Sequence, residues 1–174
     1  LETTKTGKKK PVYDLVDTTD VYQLDVTSMF PNIMIRDGLL GPATDKYADL
    51  VADRLANKKA GNPKAKTQKI VINATYGGTR SNWLNLYNPK VAIHVNVAGM
   101  VAVYNLARGL AKIGQIIQVN TDGVAVKLNN NSNAKERMFT IKKQWEAYFK
   151  LNLEVTHFKR LIQRDVNNYI AVKD

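Results

Sequence analysis

The sequence predicts an α+β fold: an antiparallel sheet with helices on one face and a short helical hairpin inserted between its strands. Three observations carry this. Val21 to Asp25 alternates apolar and polar side chains, the pattern of a strand with one buried face. Gln115–Val119 and Val124–Leu128 flank a tight turn at Asn120–Gly123, which signals a β-hairpin. Between these lie two stretches of helical composition separated by Ala-Gly-Asn-Pro at 60–63.

Taken in order, Lys5 to Pro11 reads as a basic, glycine-containing turn. The strand ending at Asp25 is broken by Ser28-Met29-Phe30-Pro31, and Pro31 suits the first turn of a short helix. Gly38, Gly41 and Pro42 form a loop. Asp45–Lys59 and Lys64–Tyr76 make an antiparallel helix pair, the second stopped by Gly77-Gly78. After Asn88-Pro89, residues 91–113 predict a long buried helix ending at Gly114, although the β-branched start Val-Ala-Ile-His-Val-Asn-Val also suits an extended segment. The Asn-rich stretch 128–133 is a loop, with Asn133 or Ser132 as helix cap. An amphipathic helix over 134–150 and strands over Leu153–Gln163 and Asn168–Val172 complete the chain. The order of strand, two helices, long helix, hairpin, helix and strands fits a layered α+β arrangement.

A length of 174 residues suits one domain, with or without a small subdomain, and 44% hydrophobic residues suffice for a core. There is no cysteine, which excludes disulfides and thiolate metal sites and is compatible with a reducing cytoplasm, the expected location. No signal peptide is expected, since the first residues lack an apolar core. The apolar region 91–113 contains His94, Asn96, Asn105, Arg108 and Lys112, so a core helix explains it better than a membrane span. The net charge of +11 suggests a polyanionic partner, though a soluble basic surface gives the same total. The excess is segmental: residues 45–80 and 135–164 each hold eight Lys/Arg against three acids. A surface that tracks a nucleic-acid strand requires such clustering.

Two aspartates draw attention. Asp25 ends a strand and Asp122 sits at a hairpin tip, and Gln23 and Asp25 fall on one strand face. Aspartate is also an ordinary turn residue, which accounts for either one alone. If they converge, the pair could hold two divalent cations and clamp both oxygens of an in-line phosphoryl displacement. Helical spacing places Lys69, Asn73, Tyr76 and Arg80 on one stripe, and Arg54 and Lys58 on another. A lysine-rich solvated face is the bland alternative, since Lys59, Lys64 and Lys66 are equally at hand. His94 and His157 are isolated in the sequence and read as structural, which leaves no zinc site.

The segments around these residues resemble family B DNA polymerases. Asp-Val-Thr-Ser-Met-Phe-Pro-Asn-Ile, from Asp25, is similar to their motif A, D-x-x-S-L-Y-P-S-I. Lys69 to Gly77 resembles motif B, K-x-x-x-N-S-x-Y-G, and Asn120-Thr-Asp-Gly resembles the D-T-D-S of motif C. The three occur in the family's order, with Arg54-x-x-x-Lys58 upstream of motif B. The likeness covers residues 20–128 and looks phage- or plasmid-like. It implies a palm-type sheet: residues 1–44 as the first part of the palm, 45–80 as the fingers hairpin, and 81–174 as the second part, ending near the thumb junction.

The resemblance further implies a template-dependent DNA polymerase core, lacking its exonuclease and thumb domains, that adds dNTPs to a primer 3′-hydroxyl. Asp25, Asp122 and the Val26 carbonyl would hold two Mg²⁺ ions, with Mn²⁺ as a substitute. Arg54, Lys58, Lys69 and Asn73 would bind the triphosphate, Ser28 and Met29 through backbone amides, and Lys69 would also protonate the leaving pyrophosphate. Phe30 would exclude a ribose 2′-hydroxyl, while Tyr76 and Gly77 let the templating base pair approach. The partners implied are primer–template DNA and the missing domains, with no membrane. The sequence departs from the family at Asn120, Gly123, Ala74 and Phe30, where Asp, Ser, Ser and Tyr are usual. Asn120 would weaken an ion contact without touching the two principal carboxylates. A non-catalytic nucleic-acid-binding module built on the same surface, or a palm of reverse-transcriptase type, are the alternatives.

Overall fold

The computed structural model describes residues 2–3, 9–10, 15–130, 132–165 and 168–173. The turn expected over Lys5–Pro11 falls outside them except at Lys9 and Lys10, as does Asn131 of the expected Asn-rich loop. Strands β1 (Glu2–Thr3) and β2 (Lys9–Lys10) pair antiparallel as a short ribbon. The main sheet is α+β in character and built from β3 (Val16–Val26), β4 (Gly114–Val119), β5 (Gly123–Leu128), β6 (Leu153–Asp165) and β7 (Asn168–Lys173). Its order is β4-β5-β3-β6-β7 and every neighbouring pair is antiparallel. The strand carrying Asp25 is therefore central.

Between β3 and β4 the chain forms α1 (Met29–Arg36), the paired helices α2 (Thr44–Lys59) and α3 (Lys64–Gly78), and the long α4 (Pro89–Leu110). Helix α5 (Ala134–Phe149) follows the β4–β5 hairpin. Leu24 and Val26 of β3 and Val124 and Val126 of β5 enter one core with Ile33, Met34, Val95, Leu106, Leu110 and Met138 of the helices. Each such side chain, fully buried, stabilises the fold by about 1.5–3 kcal/mol. Trp145 joins the same core, and its indole N–H donates to the Ala102 carbonyl at 2.8 Å, which pins α5 to α4. A smaller cluster of Val21, Ala125, Phe158 and Leu161 is separate from that core. By strand alternation, Val21, Gln23 and Asp25 point to the face opposite Leu24 and Val26.

Four expectations need correction. Helix α4 begins at Pro89, capped by the Asn88 side chain, which accepts the Val91 N–H at 3.3 Å, and its first turns are helical rather than extended. Nor is it buried all round. Val95, Ala102, Leu106 and Leu110 are enclosed, whereas Ile93, Val97, Met100 (70% exposed), Val101 and Tyr104 face outward. Laid on one side of a sheet, a helix buries a single stripe, and composition does not reveal how many partners it has. By length and apolarity α4 could cross a bilayer; its enclosed stripe belongs to the sheet core instead. Helix α3 also runs on through Gly77 and Gly78, and its cap is Thr79. At the start of α5, Asn133 occupies the cap position, but its side chain makes no capping bond.

Candidate active site

The end of β3 is stapled on both sides. The Val26 N–H donates to the Asp122 carbonyl at 2.7 Å, and the Thr27 N–H to the Asn152 carbonyl at 2.9 Å. In register, Asp25 lies opposite Gly123 on β5 and opposite Glu154 on β6. Asp122 immediately precedes Gly123, so two aspartates remote in sequence reach one rim. Together with Glu154 they line a cavity of about 410 Å³.

The Asp25 carboxylate has a specific seat. A Cβ built on Gly123 would stand 2.0 Å from Asp25 Oδ1 and 2.9 Å from the Leu24 carbonyl oxygen, so the carboxylate lies over bare glycine. The Gln23 side-chain amide donates to both of its oxygens, at 3.0 and 2.8 Å. Among the described residues no cationic side chain pairs with Asp25, Asp122 or Glu154. Burial pushes the Asp25 carboxyl above the ordinary carboxylate range; the Gln23 donor pulls it partly back, and the charges of Asp122 and Glu154 push it up again.

Across the cavity stand the cations. Arg54 and Lys58 are one turn apart on α2, Lys69 and Asn73 one turn apart on α3, and all four line the same space. The helix pair is held by Tyr47, whose hydroxyl donates to the Ile72 carbonyl at 3.0 Å, and by Asn57, which donates to Gln68 at 3.1 Å. Arg54 donates from Nη1 to Ser28 Oγ at 3.1 Å, while its Nε is buried with no hydrogen-bond partner. Ser28 sits at φ 48°, ψ 50°, left-handed for a non-glycine residue, where the chain turns from β3 into α1. Such a conformation costs about 1–2 kcal/mol. Strain of this kind concentrates at functional sites. Lys59, Lys64 and Lys66 do not line the cavity, and Lys64 approaches Asp53 at 3.4 Å.

Met29 and Phe30 complete the lining beside Ser28. The Phe30 ring packs on Tyr76 with centroids 4.6 Å apart, and the Tyr76 hydroxyl donates to Asn96 Oδ1 at 2.7 Å. Tyr76 thus backs Phe30 rather than lining the cavity. Arg80, expected on the stripe of Lys69 and Asn73, lies past the end of α3 and outside the cavity. Phe30 also borders a second, more apolar space of about 520 Å³ shared with Met100, Tyr104 and Asn120. Asn120 lines this second space and not the first, and its Oδ1 is buried without a partner. His94 contacts Asp37 at 2.7 Å and His157 contacts Asp20 at 2.8 Å.

No protein-family model matches the chain, and no curated protein is similar to it in sequence. Among solved structures it is similar to the family B DNA polymerase from the hyperthermophilic archaeon Pyrobaculum calidifontis. That likeness has a TM-score of 0.62 at 17% identity and covers 95% of this chain. The fold is that of part of a family B DNA polymerase. This chain spans 28% of that polymerase's length.

Glu154 was not singled out by the sequence. It lies on β6, 129 positions from Asp25, and only the strand register sets them side by side. Among the described residues no three His, Cys, Asp or Glu side chains form a metal cage on their own. The donor set nevertheless suits a hard divalent cation. Asp25 and Asp122 offer carboxylate oxygens in a locally over-negative rim, and Mg²⁺ characteristically takes one or two carboxylates and fills its shell with water and phosphate oxygens.

Proposed function

We propose that the chain is the nucleotidyl-transfer core of a template-dependent DNA polymerase, adding deoxynucleotides to a primer 3′-hydroxyl. One observation carries this reading: a single cavity in which Asp25 and Asp122 face Arg54, Lys58 and Lys69 without pairing to them. Opposed, unpaired charges leave room for a ligand that is anionic on one side and bridged by cations on the other. A nucleoside triphosphate with divalent ions has that character. Asp25, Asp122 and the Val26 carbonyl would hold the ions, which when bound activate the primer hydroxyl and neutralise the triphosphate.

The chain's own side chains then have distinct tasks. Arg54 and Lys58 bind the phosphates, and the Arg54 guanidinium is held at the cavity wall by its bond to Ser28 Oγ. Charge-assisted bonds from such groups are stronger than neutral ones. Asn73 and the Ser28 and Met29 backbone amides add neutral donors. Lys69 protonates the leaving pyrophosphate oxygen as general acid. Phe30, stiffened by Tyr76 behind it, lies beneath the sugar and leaves no space for a 2′-hydroxyl. Primer–template DNA would lie on the sheet face that carries Gln23 and Asp25, and exonuclease and thumb domains would belong to the parent protein, acting in the cytoplasm of a phage- or plasmid-bearing host.

In the full-length protein, Asp25→Asn or Asp122→Asn should abolish Mg²⁺-dependent primer extension, whereas Asn120→Ala should only reduce it. Wild-type extension by either aspartate variant would overturn the assignment. DNA binding that persists with no Mg²⁺ or Mn²⁺ site at the aspartates would favour a non-catalytic binding module instead.

A further inference from the structure

Among the described residues the Asp25 carboxylate has no cation to hold it. Glu154 lies opposite it on β6, Asp122 lines the same cavity, and its other strand neighbour, Gly123, offers no side chain to hold it. An aspartate in that setting gains by swinging toward solvent. The structure shows it instead lying over Gly123, with one amide nitrogen within 3.0 Å of both its oxygens. That nitrogen belongs to Gln23, two residues back along the same strand face.

We infer that Gln23 is a positioning residue: its amide holds the Asp25 carboxylate in the orientation that a divalent cation shared with Asp122 requires, before any cation arrives. This rests on the metal-dependent reading above and assigns to Gln23 a part in it. The amide comes from two residues back along β3, and Asp25 still lines the cavity it shares with Asp122. A neutral donor suits the task better than lysine or arginine, which would satisfy the carboxylate's charge and compete with the incoming cation. Preorganisation of this sort raises affinity by removing the cost of ordering the ligand group on binding.

The test is Mn²⁺ binding by the full-length protein, followed through the electron paramagnetic resonance signal of free Mn²⁺ in the absence of DNA and nucleotide. Gln23→Met keeps the side-chain length and removes the donor; thermal unfolding in chelator establishes that the variant is folded. The expected result is a Kd for Mn²⁺ about tenfold weaker than wild type, as the loss of a hydrogen bond to a charged group implies. Asp25→Asn, run alongside, should remove the site. If Gln23→Met binds Mn²⁺ as tightly as wild type or more tightly, the inference fails while the metal-dependent reading stands. If the wild-type protein binds no Mn²⁺ that Asp25→Asn abolishes, that reading fails first.

Discussion

Replacing Gly123 by alanine tests the geometry of the site with a single methyl group. The new Cβ would stand 2.0 Å from Asp25 Oδ1, whereas real contacts of this kind begin near 3.0 Å, so the carboxylate must retreat by roughly 1 Å. The second neighbour, the Leu24 carbonyl at 2.9 Å, is backbone and gives little. The retreat also disturbs both bonds from Gln23. Two measurable effects follow. Overpacking of this kind costs about 1–3 kcal/mol. For a chain of this size each kcal/mol lowers Tm by about 2–4 °C. Displacing a reacting group by 1 Å can reduce turnover about 100-fold. The assay is single-nucleotide primer extension by the full-length protein, paired with thermal unfolding in chelator. Gly77→Ala is the stability control: a Cβ there meets nothing within 4 Å, so the same chemical change inside α3 should leave Tm unchanged or raise it. If Gly123→Ala matches wild type in both turnover and Tm, the carboxylate is not seated over glycine and the proposed arrangement of the rim is wrong.

Three further outcomes are expected. Arg54→Ala removes the guanidinium that lines the cavity opposite the carboxylates, and kcat/KM for dNTP incorporation should fall about 10–100-fold, the range of a lost bond to a charged group; steady-state kinetics with unchanged circular dichroism would show it. Phe30→Ala opens the floor beside Ser28 and strips Tyr76 of its ring partner, so discrimination against ribonucleotides should drop roughly tenfold or more, as measured by competing NTP and dNTP incorporation. Asp25→Asn should stabilise the metal-free fold at pH 8. The folded-state pKa of Asp25 is raised above its ordinary 3.8, so at pH values above that raised value its charge costs stability; the cost fades as pH falls and vanishes below 3.8. Chemical denaturation of wild type and variant in chelator, from pH 8 to pH 3.5, should therefore give curves that converge toward acid, and an Asn variant less stable than wild type at pH 8 would contradict the cause assigned to that shift.

What the sequence disclosed, and what it withheld, follows from how far each signal reaches along the chain. The end of β3, the β4–β5 turn and the α2–α3 pair are local patterns: alternation, a four-residue turn and an Ala-Gly-Asn-Pro break. Each was visible within a few residues of itself. Spacing of four on α2 and on α3 likewise put Arg54 with Lys58 and Lys69 with Asn73, and the fold turns both pairs into the same cavity. Arg80 obeyed the same spacing but failed, because the helix ends before it and spacing does not mark the last turn. Glu154 was invisible for a different reason. Its place beside Asp25 depends on the register of β6 against β3, and a slip of one residue would turn it to the other face. Asn120 shows the limit of motif likeness. The motif places it two residues before Asp122, yet in the fold it lines the apolar space beyond Phe30 rather than the cavity that Asp25 and Asp122 share. The apolar outer stripe of α4 makes the same point on a larger scale, since helical periodicity fixes which residues share a face but not whether a neighbour covers it. Pairings set by short-range geometry could be read ahead of the structure; those set by the meeting of distant strands or faces could not, and the residues that decide the proposed chemistry come from both groups.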